Sequence, residues 1–260
     1  MKVSGIALLA LLVSGSLPGV ASADLSAPPI IYTKSQNPIW VSAEAAKSAS
    51  GEINWGVLGE EAHRIYEGVL NSKPPLKLTE PGKSTEYDLD FSGVLPDCVH
   101  YGAAFEDHFN PPSDRTLQDV AKNARAILSG EIVGIDQGFY RGEPNSLLEV
   151  KVTHRVRASE KLASNDVFYV VFPFARFTMG GVTFCKQDSS FPYRPAIGDR
   201  ILFFPFYESP DAAGQLLYLG PQQMIFEKRG DGLVLPARFK GNESGYQGIS
   251  ELERSLLENQ

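Results

Sequence analysis

The sequence predicts a mainly β protein with a minority of helix: a closed or partly open barrel of five to six strands, carrying an N-terminal helix and loop extension. Three patterns predict it. Leu148, Val150, Val152, His154 and Val156 alternate with Glu149, Lys151, Thr153, Arg155 and Arg157, the period-two signature of a half-buried strand. Asp166–Phe174 and Ile201–Phe206 are instead apolar on both faces, so each needs a barrel interior on one side and a second layer on the other. Pro173 and Pro205 donate no amide hydrogen, which puts each at an edge, a bulge or a strand end.

In chain order, Asp24–Ser50 is an extended lead-in with Pro28-Pro29 and Pro38, anchored by Trp40. Asn54–Asn71 reads as a helix: Trp55, Leu58, Ala62, Ile65, Tyr66 and Val69 recur at three- and four-residue spacing, with Asn54 as N-cap. Ser72–Glu86 is a loop or linker, and Glu86–Leu95 has weak strand character. Asp97–Pro112 is irregular and polar. A short helix follows, capped by Ser113 or Asp114, with Leu117, Val120, Ala121 and Ala124 as its buried stripe. Strands are expected at Ala126–Ile135, Leu148–Arg157, Asp166–Phe174, Val182–Cys185, Arg200–Phe206, Leu216–Leu219, Gln223–Glu227 and Leu233–Pro236. The glycines, proline and asparagine of Asp136–Ser146 predict a loop, and turns are expected at Gly180-Gly181, Gly198-Asp199 and Gly230-Asp231-Gly232. Ser250–Leu257 is expected to close the chain as a helix. The domains are then a signal peptide over 1–23, the extension over 24–124 packed on the barrel, the β-domain over 125–236, and a tail over 237–260.

Lys2, the apolar run around Ile6–Val13 and Ala21-Ser22-Ala23 follow the order of a cleavable signal peptide. The run is short for a transmembrane anchor, the alternative reading. The expected mature protein is therefore exported, periplasmic or secreted, with no membrane span after cleavage. Removing Lys2 from the 24 basic residues leaves 23 against 31 acidic ones, a net charge of −8. That balance argues against nucleic acid, whose phosphates are bound largely by Lys and Arg. The two cysteines, Cys98 and Cys185, are expected to pair in an oxidising compartment, free buried thiols being the alternative.

No catalytic motif stands out, and no cofactor is expected. Cys98-x-His100 with Glu106, Asp107 and His108 holds metal-ligand residue types, but the spacing is not that of a structural zinc site, and a disulfide would remove the thiolate. Glu60-x-x-His63 with Glu67 occurs once, where a di-metal bundle needs two copies. A solvated helix face is the expectation there, and no metal is predicted. His154 lies on the apolar face of its strand and is expected to be a core histidine. Gly-x-Ser-x-Gly, His-Glu-x-x-His, Gly-x-Gly-x-x-Gly and P-loop patterns are absent. Phe139, Tyr140 and Arg141 fall in the predicted loop, where aromatic side chains can stack on sugars or anchor a protein contact. They form the candidate binding loop.

The order AILSGEIVGI, LLEVKVTHRVRAS, DVFYVVFP and IGDRILFFPF resembles small OB-like or netrin (tissue-inhibitor-like) barrels found in exported bacterial proteins of unknown function. The resemblance covers roughly residues 125–227 and implies the barrel. Inhibitors with this barrel reach a catalytic zinc through an N-terminal cysteine, whereas the expected mature chain here begins at Asp24 and Cys98 is internal.

These observations favour an exported, non-enzymatic binding or envelope-associated protein with an unknown protein or glycan partner. The alternative is an exported hydrolase with a noncanonical polar site at Asp97–His108. The disulfide is directly testable. Denatured, unreduced protein is expected to show no reactive thiol and to gain two on reduction. Closing a loop of 185 − 98 = 87 residues is expected to stabilise the fold by about 4–5 kcal/mol on the chain-entropy account.

Overall fold

The structure, a computed structural model, describes residues 28–60, 63, 64, 67, 116–179, 182–187, 194–228, 230, 232–234 and 247–258. Its spine is a long antiparallel ribbon of β3 (Ile127–Tyr140) and β4 (Glu143–Arg157), paired from Ile127↔Arg157 to Tyr140↔Glu143. The expected loop at Asp136–Ser146 is therefore the end of a hairpin. The turn is Arg141-Gly142, with φ of 52° and 84°. Positive φ at both central residues matches the right-handed twist of the flanking strands. Arg-Gly lacks the asparagine or aspartate that usually marks such a turn, so the sequence reads as a loop. Pro144 opposes Phe139, one step from the turn, where a two-residue hairpin leaves the amide unused by the facing strand.

Three register shifts bend this ribbon. Thr153 is the extra residue between His154, opposite Ser129, and Val152, opposite Gly130. Such a bulge inverts the alternation beyond it. Leu148, Val150 and Val152 point into the main core, but His154 does not. Its side chain is 49% exposed, with Nδ1 3.1 Å from Glu253 Oε2. This corrects the expectation of a core histidine. Arg155 swings to the side of Leu128, where its guanidinium donates to Asn165 O and Asp166 Oδ1, each at 2.8 Å.

The remaining strands add to both edges of the ribbon. They are β1 (Ile30–Tyr32), β2 (Pro38–Ser42), β5 (Val167–Phe172), β8 (Arg200–Phe203), β9 (Leu216–Tyr218), β10 (Met224–Lys228) and β11 (Gly232–Val234). The main order is β11-β10-β8-β3-β4-β5-β9, while β2 pairs with the second half of β3 and β1 with β2. All pairings are antiparallel except β5 with β9. The sheet is mixed, and its ladder does not close as the expected barrel. A 3-10 turn at Pro221–Gln223 lies between β9 and β10. It directs this stretch to Phe204, whose amide donates to Gln223 O and whose carbonyl accepts from Gln223 Nε2, both at 2.9 Å. A second, two-stranded sheet is formed by β6 (Phe174–Met179) and β7 (Val182–Gln187).

Both sheet faces are covered, as strands apolar on two sides require. Leu148, Val150, Phe168, Phe203 and Phe226 share the inner core, with Phe168–Phe203 and Phe172–Phe226 packed edge-on at 6.0 and 5.7 Å. On the other face, fully buried Trp40 joins Ile31, Tyr140, Leu147, Val171 and Leu216. Two helices, α2 (Leu117–Asn123) and α4 (Ile249–Glu258), cover Leu202, Phe204 and Ile225. The C-terminal helix is thus part of the packed structure. The N-cap of α2 is Thr116, in a reciprocal capping box with Asp119, in place of the expected Ser113 or Asp114. Arg157 closes its far end by donating to Ala124 O at 2.6 Å. Of the expected helix at Asn54–Asn71, the structure describes the turn α1 (Trp55–Leu58), where Asn54 makes no side-chain capping bond, and, beyond Gly59, helical backbone at Glu60, His63, Arg64 and Glu67. Most of the remainder lies outside the described residues, as do the signal segment, the linker and Gly180-Gly181.

Gly138 sits where β2 crosses closest to β3. A Cβ there would strike Val41 O and meet Trp40 Cζ2 at 3.0 Å. Gly138→Ala is expected to cost about 1–3 kcal/mol through overpacking, read as a lowered denaturation midpoint with an unchanged m-value.

Candidate binding cleft

The three residues of the predicted binding loop separate because successive strand residues point to opposite faces. Phe139 turns inward, 2% exposed, edge-on to Phe177 and Phe184 at 5.4 and 5.1 Å. It packs in a small core with Val41 and Leu58 and corrects the expectation of a free loop aromatic. Tyr140 turns the other way and stacks on Tyr218, with ring centres 5.2 Å apart and planes 7° apart. The Arg141 guanidinium lies over the Tyr140 ring at 5.4 Å. Burial pushes the Tyr140 phenol above its ordinary range, while the adjacent Arg141 charge works the other way.

Tyr140 and Arg141 form one wall of a cleft of about 200 Å³. The opposite wall is the segment after β8, including Pro205, Phe206, Tyr207 and Pro210, and Tyr218 of β9 completes it. Tyr207 and Tyr218 are 77% and 58% exposed, large aromatic faces presented to solvent beside a cation. The wall is braced from behind. Ser209 Oγ lies in hydrogen-bond reach of both Asp211 Oδ1 and Leu216 O, which share its single proton, Asp211 Oδ1 accepts from the Leu216 amide at 2.9 Å, and Asp211 pairs with Thr33 beyond β1. Buried hydrogen bonds of this kind hold a loop in one conformation before any ligand arrives.

A second cleft of about 300 Å³ adjoins the first and shares Tyr207 and Glu208 with it. Lys34, Arg125 and Lys161 give it a basic lining. Glu208 lies between two of these cations: Oε1 is 3.1 Å from Arg125 Nη1 and 3.3 Å from Lys161 Nζ. Hydrogen bonding to Lys161, with the Arg125 contact, holds its carboxyl below the ordinary glutamate range.

A third feature was not visible as a site in the sequence. Glu149 is 1% exposed, and neither carboxylate oxygen has a hydrogen-bond partner among the described residues. It lies between Gly134 of β3 and Tyr169 of β5. A Cβ on Gly134 would meet Glu149 Oε2 at 3.0 Å, so the glycine makes the room that the carboxyl occupies. Desolvation raises the Glu149 pKa, and burial also raises that of nearby Asp136 against a hydrogen bond from the Gln137 amide. Alternation placed Glu149 on the solvent face of a half-buried strand, and the layer formed by Trp40 and Leu216 removes that solvent.

Cys98 and the polar stretch Asp97–His108 lie outside the described residues, while Cys185 is on β7. His63 Nε2 is 3.3 Å from Glu67 Oε1, with both side chains exposed. Among the described residues no group of three His, Cys, Asp or Glu side chains could hold a metal ion. No helix among them is long and apolar enough to cross a membrane. Compared with family models, curated proteins and solved structures, the chain matches none.

Glu149 sets a pH dependence with a definite sign. Its native pKa lies above its unfolded value, so the native state binds the extra proton. The corresponding stability is full below the unfolded value, about 4.3, and is lost as pH rises through the native one. Urea unfolding between about pH 4 and 8 is expected to show this decline. Glu149→Gln is expected to reduce the slope, leaving the part with the same sign that Asp136 supplies.

Proposed function

We propose that the chain is an exported, non-enzymatic binding protein whose ligand is a glycan, held in the cleft between the β3–β4 hairpin tip and the segment after β8. The observation that carries this reading is the pair of exposed rings, Tyr207 and Tyr218, facing a braced cleft that also contains Tyr140 and Arg141. Aromatic faces supply large contact area at low conformational cost and suit the apolar faces of sugar rings. The charge of −8 expected for the mature chain supports a glycan over nucleic acid.

Strand order supports the same site. In the proposed reading, β3, β4, β5 and β8 are the first four strands of an OB-like barrel, and its fifth is interrupted into β9 and β10. The parallel β5–β9 pairing and the β10–β8–β3 succession are what such an interruption leaves. Barrels of this type bind oligosaccharides and oligonucleotides against the loops after their first and fourth strands. Those loops here are Arg141-Gly142 and the segment containing Tyr207. Export rests on the N-terminal signal pattern.

A glycan array followed by calorimetry tests the proposal. Tyr207→Ala is expected to weaken binding roughly 2- to 12-fold, the equivalent of about 0.5–1.5 kcal/mol for one lost aromatic contact, without shifting the melting temperature. An array with no ligand, or full affinity in that variant, would overturn it.

A further inference from the structure

Two clefts that meet at Tyr207 and Glu208 differ in character: one is aromatic and the other basic. Glu208 occupies the junction as an internal anion, with its carboxylate against Arg125 and Lys161. Neither cation is buried. The Arg125 side chain is 52% exposed and that of Lys161 77% exposed, so both can reach an incoming charge. Arg125 has its backbone fixed by a bond from its amide to Pro205 O at 2.8 Å, and Lys161 sits on the one-turn helix α3 (Glu160–Ala163). Lys34 adds a further positive charge on the same lining.

Resting on the glycan reading above, we infer that the two clefts form one extended site for an acidic oligosaccharide, with a sugar ring at Tyr207 and Tyr218 and an anionic substituent on Arg125 and Lys161 in place of the Glu208 carboxylate. Three cations against Glu208 leave the lining favourable to an added negative charge, although the chain as a whole is acidic. Asp211, the other carboxylate of the lining, is 3% exposed and hydrogen-bonded within its own loop. Glu208 acts as a built-in competitor. It keeps the cations in place when the site is empty and lowers affinity for weakly charged ligands. The recognised chemistry is a carboxylate or phosphate on a sugar, and matched probes separate these two sources.

The test titrates the full mature protein with a uronic-acid tetrasaccharide, its carboxyl-reduced neutral counterpart, a phosphorylated oligosaccharide and a dT oligomer. The expected result is tighter binding of an acidic saccharide than of the neutral one, by a margin that shrinks with added salt. Glu208→Gln is expected to tighten acidic binding roughly 2- to 5-fold, the scale of one exposed ion pair released, and so to widen the margin over the neutral probe. The double variant Arg125→Gln/Lys161→Gln is expected to erase the margin. Circular dichroism checks that each variant folds, and exposed side chains make that the expected outcome. Equal affinity for acidic and neutral saccharides would overturn this inference and leave the glycan reading standing. Binding of the dT oligomer alone, or of no probe, would overturn both.

Discussion

Burial on two sides is the constraint on which this structure depends. The β3–β4 ribbon is long, buried on both faces over part of its length, and flanked by β5 and β8, which are apolar on both faces. One sheet face can bury itself by curling, and here Phe168, Phe203 and Phe226 meet inside the curl. The second face needs other residues. Trp40 on β2, α2 and the C-terminal helix α4 supply them, so segments before and after the ribbon complete the core. The same constraint explains Glu149. Once the second layer is in place, a strand position written for solvent becomes an interior one, and its carboxyl loses water without gaining a partner among the described residues.

The cleft follows from the same ribbon. A hairpin that ran only to Ile135 would end well short of Tyr207. Carried on to Tyr140, it brings Arg141 opposite the segment after β8. Tyr140 then serves two layers, with one flank against Trp40 and Leu147 in the core and its ring on Tyr218 at the cleft. The cleft floor is thus an extension of the core, and one wall is tied to β1 through Asp211 and Thr33. Recognition at such a place needs little rearrangement.

Much of this was legible in the sequence, and the failures have identifiable causes. Most strands after residue 125 were predictable from apolar pattern, as were the C-terminal helix and the stripe of α2. Bulges were not. A single extra residue at Thr153 is invisible to a count of alternation, yet it moves His154 out of the core. The hairpin end was hidden by an Arg-Gly turn and by Pro144, both of which read as loop. For the site, Tyr140 and Arg141 could be singled out by residue type, but the separation of Phe139 from them required knowing that they lie on a strand. Tyr207 directly follows the apolar run Ile201–Phe206 and carries no local mark of exposure. Its exposure depends on the end of β8 at Phe203, four residues earlier. Glu208, Lys161 and Arg125 are separated in sequence and carry no local signal of their meeting.

Arg141 adopts a left-handed backbone conformation that costs an ordinary L-residue about 1–2 kcal/mol, and asparagine or glycine would suit the turn better. The position is therefore a compromise between folding and surface chemistry. Substitutions that ease the turn would make the protein more robust while stripping a cation from the mouth of the cleft. A stability-guided redesign of this chain would select against the proposed binding surface at this residue first.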